Sequence, residues 1–245
     1  MRYDLIVAGH IVLDYIRRGG EIHGPYLGGP SVYTGIAARA LDASVSIASK
    51  VGTDFGDKRM AWLRAHGLSL RQIEVTGSDT TSFQLDYKDN RRRLEVRSVC
   101  EPMHISDIAK WSCSRAVHLG PVLREINPSE VLRLAKRDVV LSLDPQGYCR
   151  QVRPNGSVRM KAWHDRSLLK KVAVLRLSEE ESPLIGGSGN SIQKLSRLGP
   201  QIILLTKGKK GTTVWSEDEC ALHVPAYPTV VRDPTGAGDA LVGPS

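Results

Sequence analysis

The chain has 245 residues, 41% of them hydrophobic and 24% charged, which is typical of soluble globular proteins and disfavours disordered and fibrous classes. Its length fits one α/β domain with an insertion. The formal net charge of +8 suits anionic ligands such as nucleotides, and it would also suit nucleic acid. The densest basic runs, residues 91–93 and 207–210, lack the interleaved aromatics of a nucleic-acid platform. Nucleic-acid binding is therefore a disfavoured alternative.

Cysteine spacing and hydropathy point to a reducing, aqueous setting. No apolar run approaches the ~18 residues that span a bilayer, and the N-terminus leads directly into a strand-like segment rather than a signal peptide. The four cysteines are widely spaced without a CxxC pair, which argues against a structural zinc site or a disulfide framework. We therefore expect a cytoplasmic protein with reduced thiols and no membrane partner.

Short apolar runs rich in β-branched residues recur along the chain and predict strands buried on both faces of a parallel sheet. They cover residues 3–8, 44–48, 116–119, 139–143, 172–177 and 202–205. Amphipathic patterns between them predict helices at residues 30–41, 56–66, 128–136 and 190–198. The alternation predicts a single α/β domain over residues 1–245, with a doubly covered, mostly parallel sheet.

The first predicted helix has the clearest local signal. Pro30 sits where a helix accepts proline, and Val32, Ile36, Ala37 and Ala40 fall on one helical face.

Two segments break the alternation of strands and helices. They are residues 11–27 and residues 80–99, and the second alternates apolar and polar side chains around a central Asp-Asn pair, as a hairpin does. Together they predict a small β lid, which would keep water away from a reacting phosphoryl group.

A glycine-rich turn near the C-terminus carries the candidate chemistry. It follows a strand-like stretch at residues 224–231 and begins a predicted helix. Gly236, Ala237 and Gly238 allow successive backbone N–H groups to converge into an anion hole. Asp239 would then lie beside a transferring phosphoryl group, where it could accept the proton of an attacking hydroxyl. For so short a motif, a glycine turn flanked by acids is an open alternative.

The longer run DPTGAGDALVG, residues 233–243, resembles the C-terminal signature of the ribokinase-like (pfkB) family of carbohydrate kinases. This resemblance implies a ribokinase-like three-layer fold, Asp239 as catalytic base in contact with substrate, and the backbone of residues 236–238 as anion hole. Asp233 and Thr235 match positions that hold a monovalent cation in potassium-activated members of the family, and a requirement for K⁺ is left open.

Other segments extend the resemblance toward the substrate. Asp14, at the end of GHIVLD, matches the aspartate that binds substrate hydroxyls, and Gly28 with Gly29 matches glycines that approach the sugar closely. Ribokinase itself has asparagine where this chain has Val12 and Tyr33. The resemblance therefore favours a cyclic polyol or nucleoside over ribose, as in archaeal-type and myo-inositol kinases, with Tyr33 as an aromatic wall of the site.

On the nucleotide side, the run SEEE resembles the family's NxxE motif. Glu181 matches the glutamate that organises Mg²⁺ through water, although Ser178 replaces the expected asparagine, and an acidic helix start is an open alternative. The run TKGKKG resembles the TLGxxG nucleotide segment, which assigns Thr206, Lys207, Gly208 and Gly211 to ATP. Lys207 replaces an apolar residue and could equally be a solvated lysine.

The resemblance implies a Mg²⁺- and ATP-dependent phosphotransferase acting on a hydroxyl of a small sugar, polyol or nucleoside. A non-catalytic sugar or nucleotide sensor on the same fold is the alternative from another class, and a homodimer through the lid is left open. Family members continue for several helical segments beyond the last residue of this chain. We therefore expect weak nucleotide binding and slow turnover from these 245 residues.

Overall fold

The computed structural model describes residues 2–88, 91–104, 114–134, 139–187, 191–216, 221–231 and 235–243. The strands are β1 (Tyr3–Ala8), β2 (Val12–Arg18), β3 (Glu21–Gly28), β4 (Val45–Gly52), β5 (Ser69–Thr76), β6 (Ser82–Lys88), β7 (Arg91–Ser98), β8 (Ser114–Leu119), β9 (Val140–Leu143), β10 (Arg150–Val152), β11 (Val158–Met160), β12 (Val174–Ser178), β13 (Ile202–Thr206), β14 (Thr212–Ser216) and β15 (Leu222–Val224). The helices are α1 (Pro30–Arg39), α2 (Asp57–Ala65), α3 (Pro128–Leu134), α4 (Ser182–Gly186), α5 (Ser191–Ser196) and α6 (Ala237–Val242).

Nine strands form one large sheet in the order β15-β14-β13-β12-β9-β8-β1-β4-β5. The pairs from β13 to β5 are all parallel, whereas β14 and β15 add antiparallel pairs at one edge. All six strands predicted from the apolar runs lie in this sheet. The predicted α/β fold with a mostly parallel sheet is thereby confirmed.

Apolar side chains cover both faces of this sheet. Alternate residues of β1 belong to two separate core clusters, with Ile6 in the cluster that includes residues of α4 and α5, and Val7 in the cluster that includes residues of α1 and α2. Both side chains are fully buried. Burial on two faces explains why the strands appear in the sequence as continuous apolar runs.

A separate four-stranded sheet has the order β3-β2-β6-β7. Its strands come from the two segments that interrupt the helix-strand alternation, with β2 parallel to β6 and the outer pairs antiparallel. Val12, Phe83 and Val122 form a small apolar cluster that joins this sheet to the body of the domain. Its action as a lid stays a prediction, and the centre of the predicted hairpin, residues 89–90, lies outside the described residues.

One sequence expectation was wrong and another held only in part. The predicted strand at 224–231 ends at Val224, because Pro225 and Pro228 lack the N–H that a ladder requires, and the remainder is exposed. The predicted face of α1 was only partly right: Val32 is buried and Ile36 packs against the core, but Ala40 is exposed and lies outside the helix. Helix α6 and the following Gly243 pack against α1 beside Thr34 and Ala38, and this contact contributes to the burial of both residues.

In the part of the chain that the structure describes, no helix has the length and hydropathy needed to cross a membrane.

Candidate active site

The candidate active site lies where the parallel strands end. Strands β1, β8, β9, β12 and β13 run in the same direction, so their carboxyl ends meet at one edge of the sheet, the usual place for ligands in open α/β sheets. Asp144 directly follows β9, and its backbone N–H donates to the carbonyl of Leu119 at the end of β8. Ser178 and Thr206 are paired in register at the ends of β12 and β13.

The loop of residues 235–239, called the catalytic loop below, enters α6 at this edge. Gly236 adopts a left-handed conformation with φ of 77°, which glycine tolerates without strain. The ring of Tyr33 lies against Gly236 so closely that an added Cβ there would come within 2.6 Å of Cδ1. Thr34 Oγ1 donates to the carbonyl oxygen of Asp239 at 2.7 Å. Helix α1 therefore holds the loop through Tyr33 and Thr34.

The catalytic loop separates two cavities. Thr235, Gly236 and Asp239 line a small cavity of about 60 Å³ on the lid side, called the acceptor cavity below. Ala237 and Gly238 line a cavity of about 890 Å³ on the other side, called the donor cavity below. Two of the predicted anion-hole residues, Ala237 and Gly238, thus face one side of the turn, while Gly236 and the predicted base Asp239 face the other.

The residues predicted to bind substrate meet around the acceptor cavity. Asp14, Gly29 and Tyr33 line it. Gly28 lies behind Asp14, because a Cβ at Gly28 would overlap Oδ2 of that carboxylate and lie 3.1 Å from its Cγ. Asp14 and Tyr33 also line an adjoining cavity of about 480 Å³ toward the lid, which includes Arg18, His23 and Tyr26. The antiparallel pairing of β2 with β3 brings these distant sequence positions together.

Asp239 is half-buried and lines the acceptor cavity, in an environment that perturbs its carboxyl group. Burial, followed by the nearby Asp144 carboxylate, raises the pKa of Asp239 to about 7, while Arg176 and Arg150 act in the opposite direction. Its Oδ1 accepts a hydrogen bond from Gln146 Nε2 at 3.2 Å. A carboxyl group with a pKa near the working pH is a better general base than an ordinary aspartate.

A buried ion pair beneath the catalytic loop was not anticipated from the sequence. Arg176 Nη1 donates to Asp144 Oδ2 at 2.6 Å, and Nη2 donates to Thr206 Oγ1 at 2.9 Å. Asp144 is fully buried and Arg176 is 9% exposed. The guanidinium lies against Gly238, where an added Cβ would be 2.5 Å from Arg176 Cζ. An arginine inside an apolar strand run was the available signal, since such a residue needs a buried partner.

Most residues assigned to the nucleotide surround the donor cavity. Ser178, Thr206, Lys207, Gly208 and Gly211 all line it, together with apolar side chains of the antiparallel edge and of α6. The apolar part consists mainly of Val214, Val224, Ala226 and Leu241.

Glu181 lies beside this cavity rather than in its lining. Its Oε2 accepts hydrogen bonds from the backbone N and the Oγ of Ser178 at 2.8 and 2.9 Å. Burial and then the Asp144 carboxylate raise the pKa of Glu181, and Arg176 opposes this shift. Among the described residues, no cluster of three or more His, Cys, Asp or Glu side chains could enclose a metal ion. A Mg²⁺ ion that keeps several waters fits a single carboxylate of this kind.

The predicted monovalent-cation site stays a prediction. Thr235 lines the acceptor cavity and the cavity adjoining it. Asp233 lies outside the described residues.

The fold is that of a ribokinase-like α/β protein. Residues 129–244 match the model of the pfkB family of carbohydrate kinases. The family resemblance predicted from the motifs is thereby confirmed.

Individual proteins also resemble the chain over nearly its whole length. The chain is 28% identical to inositol 3-kinase of Oryza sativa subsp. japonica over 255 residues, covering 97% of this chain and 60% of that protein. It therefore spans less than two thirds of that relative's length. Other proteins matched over nearly all of the chain are named as cytidine kinase, fructokinase and nucleoside kinase.

Solved structures share the fold. A pyrophosphate-dependent kinase of the ribokinase family, complexed with a pyrophosphate analogue and myo-inositol, superposes with a TM-score of 0.84 at 21% identity, covering 98% of this chain and 84% of that one. An E. coli protein in complex with ATP and Mg²⁺ superposes with a TM-score of 0.76 at 21% identity, with the same coverage of both chains.

Proposed function

We propose that this protein transfers the γ-phosphoryl group of ATP to a hydroxyl of a small polyol, sugar or nucleoside. The observation that carries the proposal is the position of the catalytic loop between two cavities, with Asp239 facing one and Gly238 facing the other. Phosphoryl transfer requires donor and acceptor to approach in line from opposite sides of the transferring group. A loop with a carboxyl group facing one cavity and the residues Ala237 and Gly238 facing the other suits that requirement.

On the acceptor side, Asp14 would bind hydroxyls of the substrate and Asp239 would take the proton of the attacking one. An ionised carboxylate accepts two hydrogen bonds, which suits neighbouring hydroxyls of a ring. The raised pKa of Asp239 lets it hold that proton at neutral pH. Tyr33 offers a flat apolar wall, which favours a cyclic polyol or a nucleoside over an open-chain acceptor. The inositol and nucleoside kinases among the relatives support the same substrate class.

On the donor side, the backbone of residues 236–238 would stabilise the charge on the transferring group, each well-aimed donor contributing roughly 3 kcal/mol. Lys207 and Ser178 would contact donor phosphates, and Glu181 would hold Mg²⁺ through water. When bound, the metal ion neutralises charge that develops on the phosphates. The guanidinium of Arg176, which is paired with Asp144, lies against Gly238 and supports this part of the backbone.

The donor cavity favours a nucleotide over pyrophosphate. Its volume of about 890 Å³ and the apolar lining contributed by Val214, Val224 and Leu241 suit an adenosine group, whereas pyrophosphate has no apolar part. Because a pyrophosphate-dependent kinase is among the structural neighbours, pyrophosphate belongs in the assay as a second donor.

The test is ADP release with ATP and Mg²⁺ against myo-inositol, ribose, fructose phosphate, nucleosides and sugar acids. The wild type is compared with Asp239→Asn and with Asp79→Asn, an exposed aspartate that serves as the control. We expect Asp239→Asn to lose about a hundredfold or more in turnover while still binding acceptor, and the control to keep full activity. Binding of sugar or nucleotide without turnover in any of the three proteins would favour the sensor alternative. Phosphate transfer from pyrophosphate alone would overturn the assignment of ATP.

A further inference from the structure

We infer that Gln146, oriented by Arg150, is a positioning residue that holds the Asp239 carboxylate so that its second oxygen is presented to the acceptor hydroxyl. This inference rests on the proposed function, because it gives Asp239 the role of base. Neither Gln146 nor Arg150 was among the site residues predicted from the sequence. Both line the acceptor cavity together with Asp239.

Three hydrogen bonds define the arrangement. Arg150 Nη2 donates to Gln146 Oε1 at 2.7 Å, and Gln146 Nε2 donates to Asp239 Oδ1 at 3.2 Å. Arg150 is itself anchored, because its Nη1 donates to the carbonyl of Val122 at 3.2 Å. The chain of contacts thus runs from the body of the domain to the proposed base.

The chemistry of the two end groups fixes the orientation of the amide. A guanidinium group only donates hydrogen bonds, so the oxygen of Gln146 has to face Arg150. The amide NH₂ is then left facing Asp239, which accepts from it whether or not the carboxyl is ionised. A glutamine held in this way cannot rotate to offer its oxygen to Asp239 without losing the contact with Arg150. Arg150 therefore determines which group meets the base.

The backbone beneath Gln146 is also fixed. Gln146 belongs to a 3-10 turn, Pro145–Gly147, that begins directly after Asp144. Its backbone N–H donates to Asp144 Oδ1 at 3.1 Å, and Asp144 is held by Arg176 through the other oxygen. The side chain of Gln146 is therefore placed by a buried ion pair rather than by a free loop, which is what a positioning role requires.

Occupation of Oδ1 leaves Oδ2 of Asp239 as the oxygen for the substrate proton. The charged groups around this carboxyl are Asp144, Arg176, Arg150 and Glu181, of which the two arginines favour its ionised form. Loss of Arg150 removes a positive charge, and loss of Gln146 removes a donor to the carboxylate. Both changes disfavour ionisation and are expected to raise the pKa of Asp239 further.

The experiment compares Gln146→Leu and Arg150→Met with the wild type. The matched controls come from the neighbouring hairpin: Gln151→Leu removes a glutamine that accepts from Arg159 at the surface, and Arg153→Met removes an exposed arginine. A ¹³C titration of the aspartate carboxyl groups, assigned with Asp239→Asn, reports the pKa of Asp239 directly and without substrate. The wild-type midpoint is expected at about 7. We expect both test variants to move it upward by about one unit, and both controls to leave it in place.

Kinetics supply the second readout. With an accepted substrate, Gln146→Leu is expected to lower kcat about tenfold to a hundredfold, to change the acceptor KM by less than about threefold, and to shift the acid limb of the pH profile upward with the titration. Arg150→Lys keeps a charged donor, so it is expected to recover most of the kcat that Arg150→Met loses.

The outcomes separate the inference from the proposed function. A titration midpoint that stays at the wild-type value in both test variants overturns the positioning role, even if the enzyme turns over. A raised acceptor KM with unchanged kcat also overturns it, since Gln146 would then be a direct ligand of the substrate. If the midpoints shift as expected but no hydroxyl acceptor is phosphorylated, the positioning of Asp239 stands and the kinase proposal fails.

Discussion

Replacement of Gly238 by alanine tests how the catalytic loop rests on the buried ion pair. An added Cβ would lie 2.5 Å from Cζ of Arg176 and nearer still to Nη2. Because favourable carbon contacts begin near ~3.5 Å, the loop and the guanidinium have to separate by about 1 Å. Arg176 cannot move freely, since its two terminal nitrogens are bound to Asp144 and Thr206. The alanine therefore forces either the ion pair or the loop out of place.

The expected losses of stability and of turnover in Gly238→Ala follow from these contacts. Weakening a buried, charge-assisted hydrogen bond costs about 3 kcal/mol, and the better helix propensity of alanine at the start of α6 returns about 1 kcal/mol. We therefore expect the free energy of unfolding of Gly238→Ala to fall by about 2 kcal/mol. A displacement of about 1 Å beside the reacting group is expected to lower turnover about a hundredfold. Urea unfolding followed by circular dichroism, together with ADP release, measures the two effects.

Two comparisons make this prediction refutable. Gly77→Ala is the control, because an added Cβ there meets nothing within 4 Å, and it should leave stability and turnover unchanged. In an Arg176→Ala background the overlap is absent, so the cost of Gly238→Ala should nearly vanish. Additive costs in the double variant, or wild-type behaviour of Gly238→Ala alone, would show that the guanidinium does not support the loop.

Three further predictions concern single residues. Gly28→Ala pushes a Cβ into the Asp14 carboxylate and should raise the acceptor KM about tenfold while kcat changes little, as measured by steady-state kinetics. The folded-state pKa of Asp239 is raised to about 7, so the stability that its protonated carboxyl group contributes at low pH is lost as the pH rises through 7. In urea unfolding, the difference in free energy of unfolding between Asp239→Asn and the wild type should therefore grow, in favour of the variant, by at most about 3 kcal/mol from pH 5 to pH 8. Burial lowers the pKa of His118 to about 4, so the stability that the neutral ring contributes is present above pH 6.5 and is lost as the pH falls. The wild type should therefore lose about 2 kcal/mol more free energy of unfolding between pH 7.5 and pH 5 than His118→Gln does. Equal acid sensitivity of the two proteins would contradict this.

The strands of the large sheet were readable from the sequence because each is buried on two faces. Ile6 and Val7 contact different core clusters, so neither position in β1 tolerates a polar residue and the run is continuous. The stretch 224–231 also contains many apolar residues, but its side chains are exposed and its prolines prevent strand pairing. Apolar composition alone could not separate these two cases.

The motif residues were also predictable, because local backbone geometry imposes them. Gly236 has to be glycine for its positive φ and for the ring of Tyr33, and Gly28 has to be glycine for the carboxylate of Asp14. These requirements place glycine at fixed positions in the sequence, where a motif can show it. Gly236 lines the acceptor cavity and Gly28 lies behind Asp14, which also lines it, and the roles of these residues stay proposals.

The buried ion pair could not be predicted, because it depends on which strands are neighbours. Residues Asp144 and Arg176 are 32 positions apart, and they meet only because β9 and β12 are adjacent in the sheet. Ser142 pairs with Val174 and Leu143 with Leu175, so the next step along each strand places the acid and the base side by side. A sequence pattern gives the strands but not their order, and the register follows from the order.

The same carboxylate links the two sides of the site. Asp144 Oδ2 accepts from Arg176, which supports Gly238 on the donor side, and Oδ1 accepts from the turn that carries Gln146 to Asp239 on the acceptor side. Both oxygens are used in this way, and the group is fully buried, so a neutral amide at position 144 could not satisfy two donors equally. Asp144 also raises the pKa of Asp239 through its charge. Position of the loop and basicity of the base are therefore not independent properties of this site, because a single buried charge contributes to both.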